Sequence, residues 1–112
     1  MQVIKRDGSK VDFEGSKIYD AIVKAASEVY VLDDQFKTQL AEIAYNVALD
    51  LNELQIDNVT ISMIQSQVEQ RLISAGLITV AERYISYRLQ RDLERYGFGE
   101  RLSVHLHFEK LA

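Results

Sequence analysis

The chain has 112 residues, enough for one domain with a modest core, and its 47% hydrophobic and 27% charged residues are those of an ordinary globular protein. Thirteen Lys and Arg against 17 Asp and Glu give a formal net charge of −4, a balance that disfavours direct binding to nucleic acid, which rewards a basic surface. With no cysteine, disulfides, thiolate nucleophiles, zinc ribbons and iron–sulfur ligation are excluded. No apolar run approaches a membrane span, and Met1 to Val11 is charged and alternating where a secretion signal is apolar, so a cytoplasmic protein is expected.

The chain opens on a hairpin pattern. Val3, Ile4, Val11 and Phe13 flank Asp7-Gly8, a strong two-residue turn signal. That turn pairs Lys5 with Lys10 and Ile4 with Val11, and it puts Ile4, Val11 and Phe13 on one face. A first helix is expected from Ser16, as its N-cap, to Tyr30, with Ile18, Ala21, Ile22, Ala25 and Val29 at helical spacing. Asp33 and Asp34 suit the cap and positive end of a second helix, whose stripe is Phe36, Leu40, Ile43, Ala44, Val47 and Leu51.

Gln55 to Val59 reads as a short extended piece. Thr60 then reads as the N-cap of a third helix with Ile61, Ile64, Val68 and Leu72 inward and Gly76 at its end. A fourth helix covers Leu77 to Tyr96. Val80, Tyr84, Tyr87 and Arg91 lie along one side of it, Ile85, Leu89 and Leu93 along another, and Gly97 and Gly99 close it. Ser103 to Phe108 alternates again. Residues 1–97 are expected to form the domain and 98–112 a tail, either a strand or a linker to a further region.

Several groupings admit a binding role and a plain one. Lys5 and Arg6 beside the turn can grip phosphate through charge-assisted hydrogen bonds, or they can be a solvated strand end. Strand alternation sends them to opposite faces unless the turn distorts the ladder. Tyr84, Arg88 and Arg91 share a helix face, with Arg83 and Tyr87 beside them. That face can hold a triphosphate, or it can be the wet edge of an amphipathic helix. Thr60 is first a cap, and the N–H groups behind it can also meet an anion. Lys17 sits at the positive end of the first helix, a small electrostatic cost that an anion would offset. His105 and His107 could share a metal on a strand or simply face water. The GxxxxGKS/T and GxGxxG loops are absent, no acid, base and nucleophile converge, and Asp33-Asp34 is explained by capping, so no catalytic residue is expected.

Taken in order, Val3-Ile4-Lys5-Arg6-Asp7-Gly8, Val11-Asp12-Phe13-Glu14 with Lys17-Ile18, Val59-Thr60, and Ala81-Glu82-Arg83-Tyr84-Ile85-Ser86-Tyr87-Arg88 followed by Arg91 resemble the ATP-cone family over about Gln2 to Gly97. The resemblance implies an α+β, mainly α fold: a four-helix bundle capped by a three-stranded sheet that includes the hairpin. It implies a site for ATP or dATP, with Mg2+ accompanying the phosphates, between hairpin and helices. Lys5 corresponds to a nucleotide-contacting lysine. The segment Val11 to Lys17, with Val11, Asp12, Phe13 and Glu14, wraps the nucleotide, its backbone near the base and Lys17 near the phosphates; Thr60 is a further contact, and Arg91 is a phosphate-binding cation. Arg6 and Arg88 fit the same motif.

In that family the domain sits at the N-terminus of ribonucleotide reductase, where ATP sustains activity and dATP stops it through a change of oligomeric state. The implied partners are a catalytic or radical-generating reductase subunit and further copies of the domain. The KRDG opening and the YISYRLQRD helix look closest to the anaerobic reductases. Two other readings use the same stripes: a helical interaction module without ligand, and the nucleotide-sensing half of a zinc-ribbon repressor of reductase genes, whose cysteines this chain lacks.

Overall fold

A computed structural model of the chain describes residues 1–96. Among them the elements are β1 (Gln2–Ile4), β2 (Lys10–Asp12), α1 (Gly15–Ser27), α2 (Asp34–Glu53), β3 (Asn58–Thr60), α3 (Ile61–Ser74) and α4 (Ile78–Tyr96). This is the expected mainly helical α+β architecture. The closure of α4 at Gly97 and Gly99, the alternation around His105 and His107, and the 98–112 tail fall outside the described residues.

The sheet has the order β2-β1-β3, with β1 antiparallel to β2 and parallel to β3. Its register differs by one residue from the expected one: Val3 pairs with Val11 and Ile4 with Lys10. The cause is a three-residue loop. Asp7 Oδ1 accepts from the Ser9 N–H at 2.9 Å and the Ser9 hydroxyl at 2.6 Å, and Gly8 takes φ +87°. Lys5 then closes the loop, its N–H donating to Ser9 O at 2.8 Å and its carbonyl accepting from Gly8 N at 2.9 Å. A left-handed third loop residue is the standard companion of this loop length.

The shift exchanges faces, because side chains alternate along a strand. The inward row is Val11–Val3–Val59 across all three strands, in place of Ile4 with Val11. Val3 and Val59 are buried and belong to the same core cluster as the helix stripes.

Two helices start on a side-chain cap, and α3 stops on a glycine. The Asp33 side chain accepts from Phe36 N at 2.7 Å to cap α2, and Thr60 Oγ1 accepts from Met63 N at 3.2 Å to cap α3. At the end of α3, Gly76 at φ +80° allows the Leu77 N–H to reach Leu72 O at 2.9 Å and the Gly76 N–H to reach Ile73 O at 3.0 Å, a Schellman ending. The start of α1 differs from expectation. Ser16 lies inside the helix, and the N-cap is Glu14, which makes no side-chain cap bond.

The buried stripes are Ile18, Ile22, Ala25 and Ala26 on α1, Leu40, Ile43, Ala44, Val47 and Leu51 on α2, and Ile64, Val68 and Leu72 on α3. Val80 and Ala81 complete the core from α4. α1 packs on α2 and α4, and α3 packs on the same two, so the four helices close around one core with the sheet across its end. Arg71 of α3 pairs with Asp50 of α2 on the flank. Among the described residues no buried side-chain polar atom lacks a partner, and no helix is long and apolar enough to cross a membrane.

Candidate functional site

The hairpin register places two side chains at the edge of its inward face. Lys5 is two residues beyond Val3 and Phe13 two beyond Val11, so both extend the inward face of the hairpin to its edge. There the hairpin, α1, α3 and α4 enclose an open cavity of about 320 Å³. Its apolar wall comes from Val3, Val11, Phe13, Ile18, Ile61 and Ile64. Its cations are Lys5, Arg6, Lys17, Lys24, Arg88 and Arg91, against the carboxylates of Asp12 and Glu14. Among the described residues the lining thus holds six cations and two carboxylates, a basic pocket on a chain of net charge −4.

The sequence-derived candidates Lys5, Arg6, Val11, Asp12, Phe13, Glu14, Lys17, Arg88 and Arg91 all line this cavity. Thr60 does not. Its hydroxyl serves the α3 cap, and the next residue, Ile61, is the one that reaches the wall. Lys5 and Arg6 reach the same cavity because Arg6 has left the ladder for the loop. From there an Arg6 Nη2–H donates to Gln65 Oε1 of α3 at 2.9 Å, a link between hairpin and bundle.

The cations are held differently. Lys17 Nζ lies 3.6 Å from Glu14 Oε2, with both side chains largely exposed, so the pair is a weak surface one. Arg88 is nearly four-fifths buried and donates from Nε and Nη2 to Glu69 Oε1 at 2.9 and 2.6 Å. Lys24 Nζ sits 4.9 Å from the centre of the Tyr87 ring. The Tyr87 hydroxyl donates to Glu28 Oε1, and Arg83 Nε lies 3.8 Å from Glu28 Oε2. That hydrogen bond is the main reason the Tyr87 phenol titrates above its ordinary value. Burial pushes Tyr84 up to about 12, aided by the Glu69 charge and opposed by Arg88 and Arg91, so the phenol of this wall residue is neutral.

Lys24 and Gln65 were not among the sequence candidates. Lys24 carries a signal in retrospect: Lys17, Ala21 and Lys24 are spaced i, i+4 and i+7 on α1, and all three line the cavity. Gln65 carries none, since its role depends on where the hairpin loop lands on α3. An apolar wall beside several cations suits a ligand with an apolar part and several negative charges.

Comparison with known proteins gives the same direction. The family model for the ATP cone domain matches residues 1–93. The chain is 41% identical over 93 residues to an anaerobic ribonucleoside-triphosphate reductase of Haemophilus influenzae, covering 83% of this chain and 13% of that protein. It is 36% identical over 97 residues to the protein of that name in Escherichia coli, covering 87% and 13%. It is 30% identical over 110 residues to a ribonucleoside-diphosphate reductase subunit alpha of Chlamydia trachomatis, covering 91% and 10%. The chain therefore spans only about an eighth or less of the length of these relatives.

Proposed function

This chain belongs to the ATP-cone domain family, and we propose that it is an allosteric domain that binds ATP or dATP in the cavity between hairpin and helices and regulates a ribonucleotide reductase. The observation that supports this most directly is the convergence of cations from β1, the hairpin loop, α1 and α4 around an apolar wall on a chain of net charge −4. In this reading the adenine lies against Val11, Phe13 and Ile18, with Asp12 and Glu14 beside it. The phosphates lie among Lys5, Arg6, Lys17 and Arg91, and Arg88 stands behind them. Each charge-assisted contact contributes about 1.5–3 kcal/mol. Thr60 acts at second hand, by fixing the start of α3 behind Ile61.

Magnesium accompanying a triphosphate takes most of its ligands from phosphate and water. Among the described residues no group of three or more His, Asp or Glu offers a protein cage, so the ion would be held through the nucleotide. The domain is taken as residues 1–97, with catalysis in the reductase it regulates.

ATP and dATP differ by one hydroxyl, and a ligand shifts an equilibrium only by its difference in affinity for the two states. The proposed states differ in how the hairpin and α4 close on the nucleotide. The surface that changes controls assembly with a reductase subunit or with further copies of the domain. A coupling of about 1–3 kcal/mol is sufficient.

Thermal unfolding with ATP, dATP or GTP, each with magnesium, tests the reading. A ligand at about 100 times its Kd adds roughly 2.7 kcal/mol, which raises Tm by about 10 °C or more in a domain of this size. The expected pattern is a rise with ATP and dATP and little with GTP. No rise with any nucleotide up to the millimolar range would overturn the binding site and favour a ligand-free interaction module.

A further inference from the structure

We infer that Lys24 is an additional phosphate-contacting residue of this cavity, positioned by the Tyr87 ring; the inference rests on the nucleotide-binding reading above. Two observations support it. Lys24 lines the cavity on the same face of α1 as Lys17, with the small Ala21 side chain also in the wall between them in sequence. Its ammonium also lies over the Tyr87 ring, 4.9 Å from the centre.

A ring face balances the charge but accepts poorly, so the three N–H donors of Lys24 stay available to an oxyanion. Among the described residues no carboxylate forms an ion pair with Lys24. Arg88 is the opposite case, since two of its nitrogens are spent on Glu69. Of these two cations, the one with donors to give is therefore Lys24.

The ring is itself held. Tyr87 donates its hydroxyl proton to Glu28, and Arg83 stands at the other oxygen of that carboxylate. A lysine carries large rotamer entropy, and resting its ammonium on a fixed ring reduces what binding must still order. Tyr87 is thus a positioning residue, and it ties α1 to α4 at the cavity wall.

Titration calorimetry of the full 112-residue chain with ATP and with adenosine, in magnesium, tests this. Lys24→Gln is expected to weaken ATP about tenfold and to leave adenosine within about twofold. Lys24→Arg should restore most of the ATP affinity. Tyr87→Leu should weaken ATP by about threefold while every charge in the cavity is retained. Lys24 is exposed, so the Tm of the unliganded Lys24 variants should match that of the parent. ATP affinity unchanged in Lys24→Gln, or equal losses for ATP and adenosine, would overturn the role of Lys24 while nucleotide binding by the parent chain stands. Absence of binding by the parent chain is a separate result and would remove the underlying site.

Discussion

Arg88 and Glu69 form one of the most enclosed ion pairs among the described residues, with two guanidinium nitrogens on a single carboxylate oxygen at 2.9 and 2.6 Å. Arg88 therefore faces the cavity with much of its charge already compensated. Arg88→Ala would leave a largely buried carboxylate without its partner, at a cost of about 1–3 kcal/mol. The expected outcome is a lower Tm with only a modest loss of ATP affinity, which calorimetry and thermal unfolding of one variant would separate. A large affinity loss at unchanged Tm would mean that Arg88 reaches the phosphates and releases Glu69.

Lys5 and Arg91 should behave the other way. Both line the cavity, and neither is enclosed by an opposite charge as Arg88 is. Lys5→Ala and Arg91→Ala are each expected to weaken ATP at least about tenfold, from the loss of one charge-assisted contact. Their effect on Tm without nucleotide should be small. Unchanged ATP affinity in both variants would rule the cavity out as the phosphate site.

How much of this was legible in the sequence depends on the range of the interactions. The α2 and α3 stripes and the caps at Asp33 and Thr60 are local patterns, and the structure has them where periodicity puts them. The hairpin register was missed because Asp7-Gly8 also fits a two-residue turn, and only the Ser9 bonds to Asp7 decide for three. The missed start of α1 is similar: Ser16 has capping chemistry, but the chain enters the helix from Glu14. At the site, Lys5, Arg6, Lys17, Thr60, Arg88 and Arg91 stand out by charge and spacing, each with a plain reading beside it, and Val11, Asp12, Phe13 and Glu14 enter through the resemblance alone. The Arg88–Glu69 pairing, the Arg6–Gln65 link and the Lys24–Tyr87 contact are tertiary facts, spanning 19 residues in the first case and 59 in the second.

Thr60 separates fold from site. Its hydroxyl caps α3 and its side chain does not line the cavity. Thr60→Ala should therefore cost about 1 kcal/mol of stability, a fall of roughly 4–8 °C in Tm. ATP affinity should change less than in Lys5→Ala. A tenfold affinity loss in Thr60→Ala would instead give the hydroxyl a direct part in binding.

Tyr84 predicts an alkaline signature. Its phenol is raised from 10.0 to about 12 in the fold, so the native state favours the neutral form. The stability this contributes is complete below pH 10, where unfolded tyrosine is still protonated, and it is lost as pH rises through the folded value near 12. Tyr84→Phe should remove that part of the alkaline decline, and the latest step of the phenolate absorbance titration should disappear with it. A parent chain and variant with parallel stability curves above pH 10 would place the Tyr84 hydroxyl in water.

Gly8 tests whether the loop or the apolar row sets the hairpin. A Cβ at Gly8 would meet nothing within 4 Å, so Gly8→Ala is strained only through its backbone at φ +87°. That strain costs about 1 kcal/mol, and asparagine, which tolerates the left-handed region, should cost less. The row Val11–Val3–Val59 opposes relief by slippage, because a one-residue shift would turn Val3 or Val11 away from the core. The fold should therefore survive Gly8→Ala with a lower Tm. The loop that carries Arg6 should become less ordered and ATP binding should weaken, with Gly8→Asn intermediate in both. Full affinity in a destabilised Gly8→Ala variant would show that Lys5 is positioned by the strand pairing alone, and that the ordered loop contributes nothing to binding.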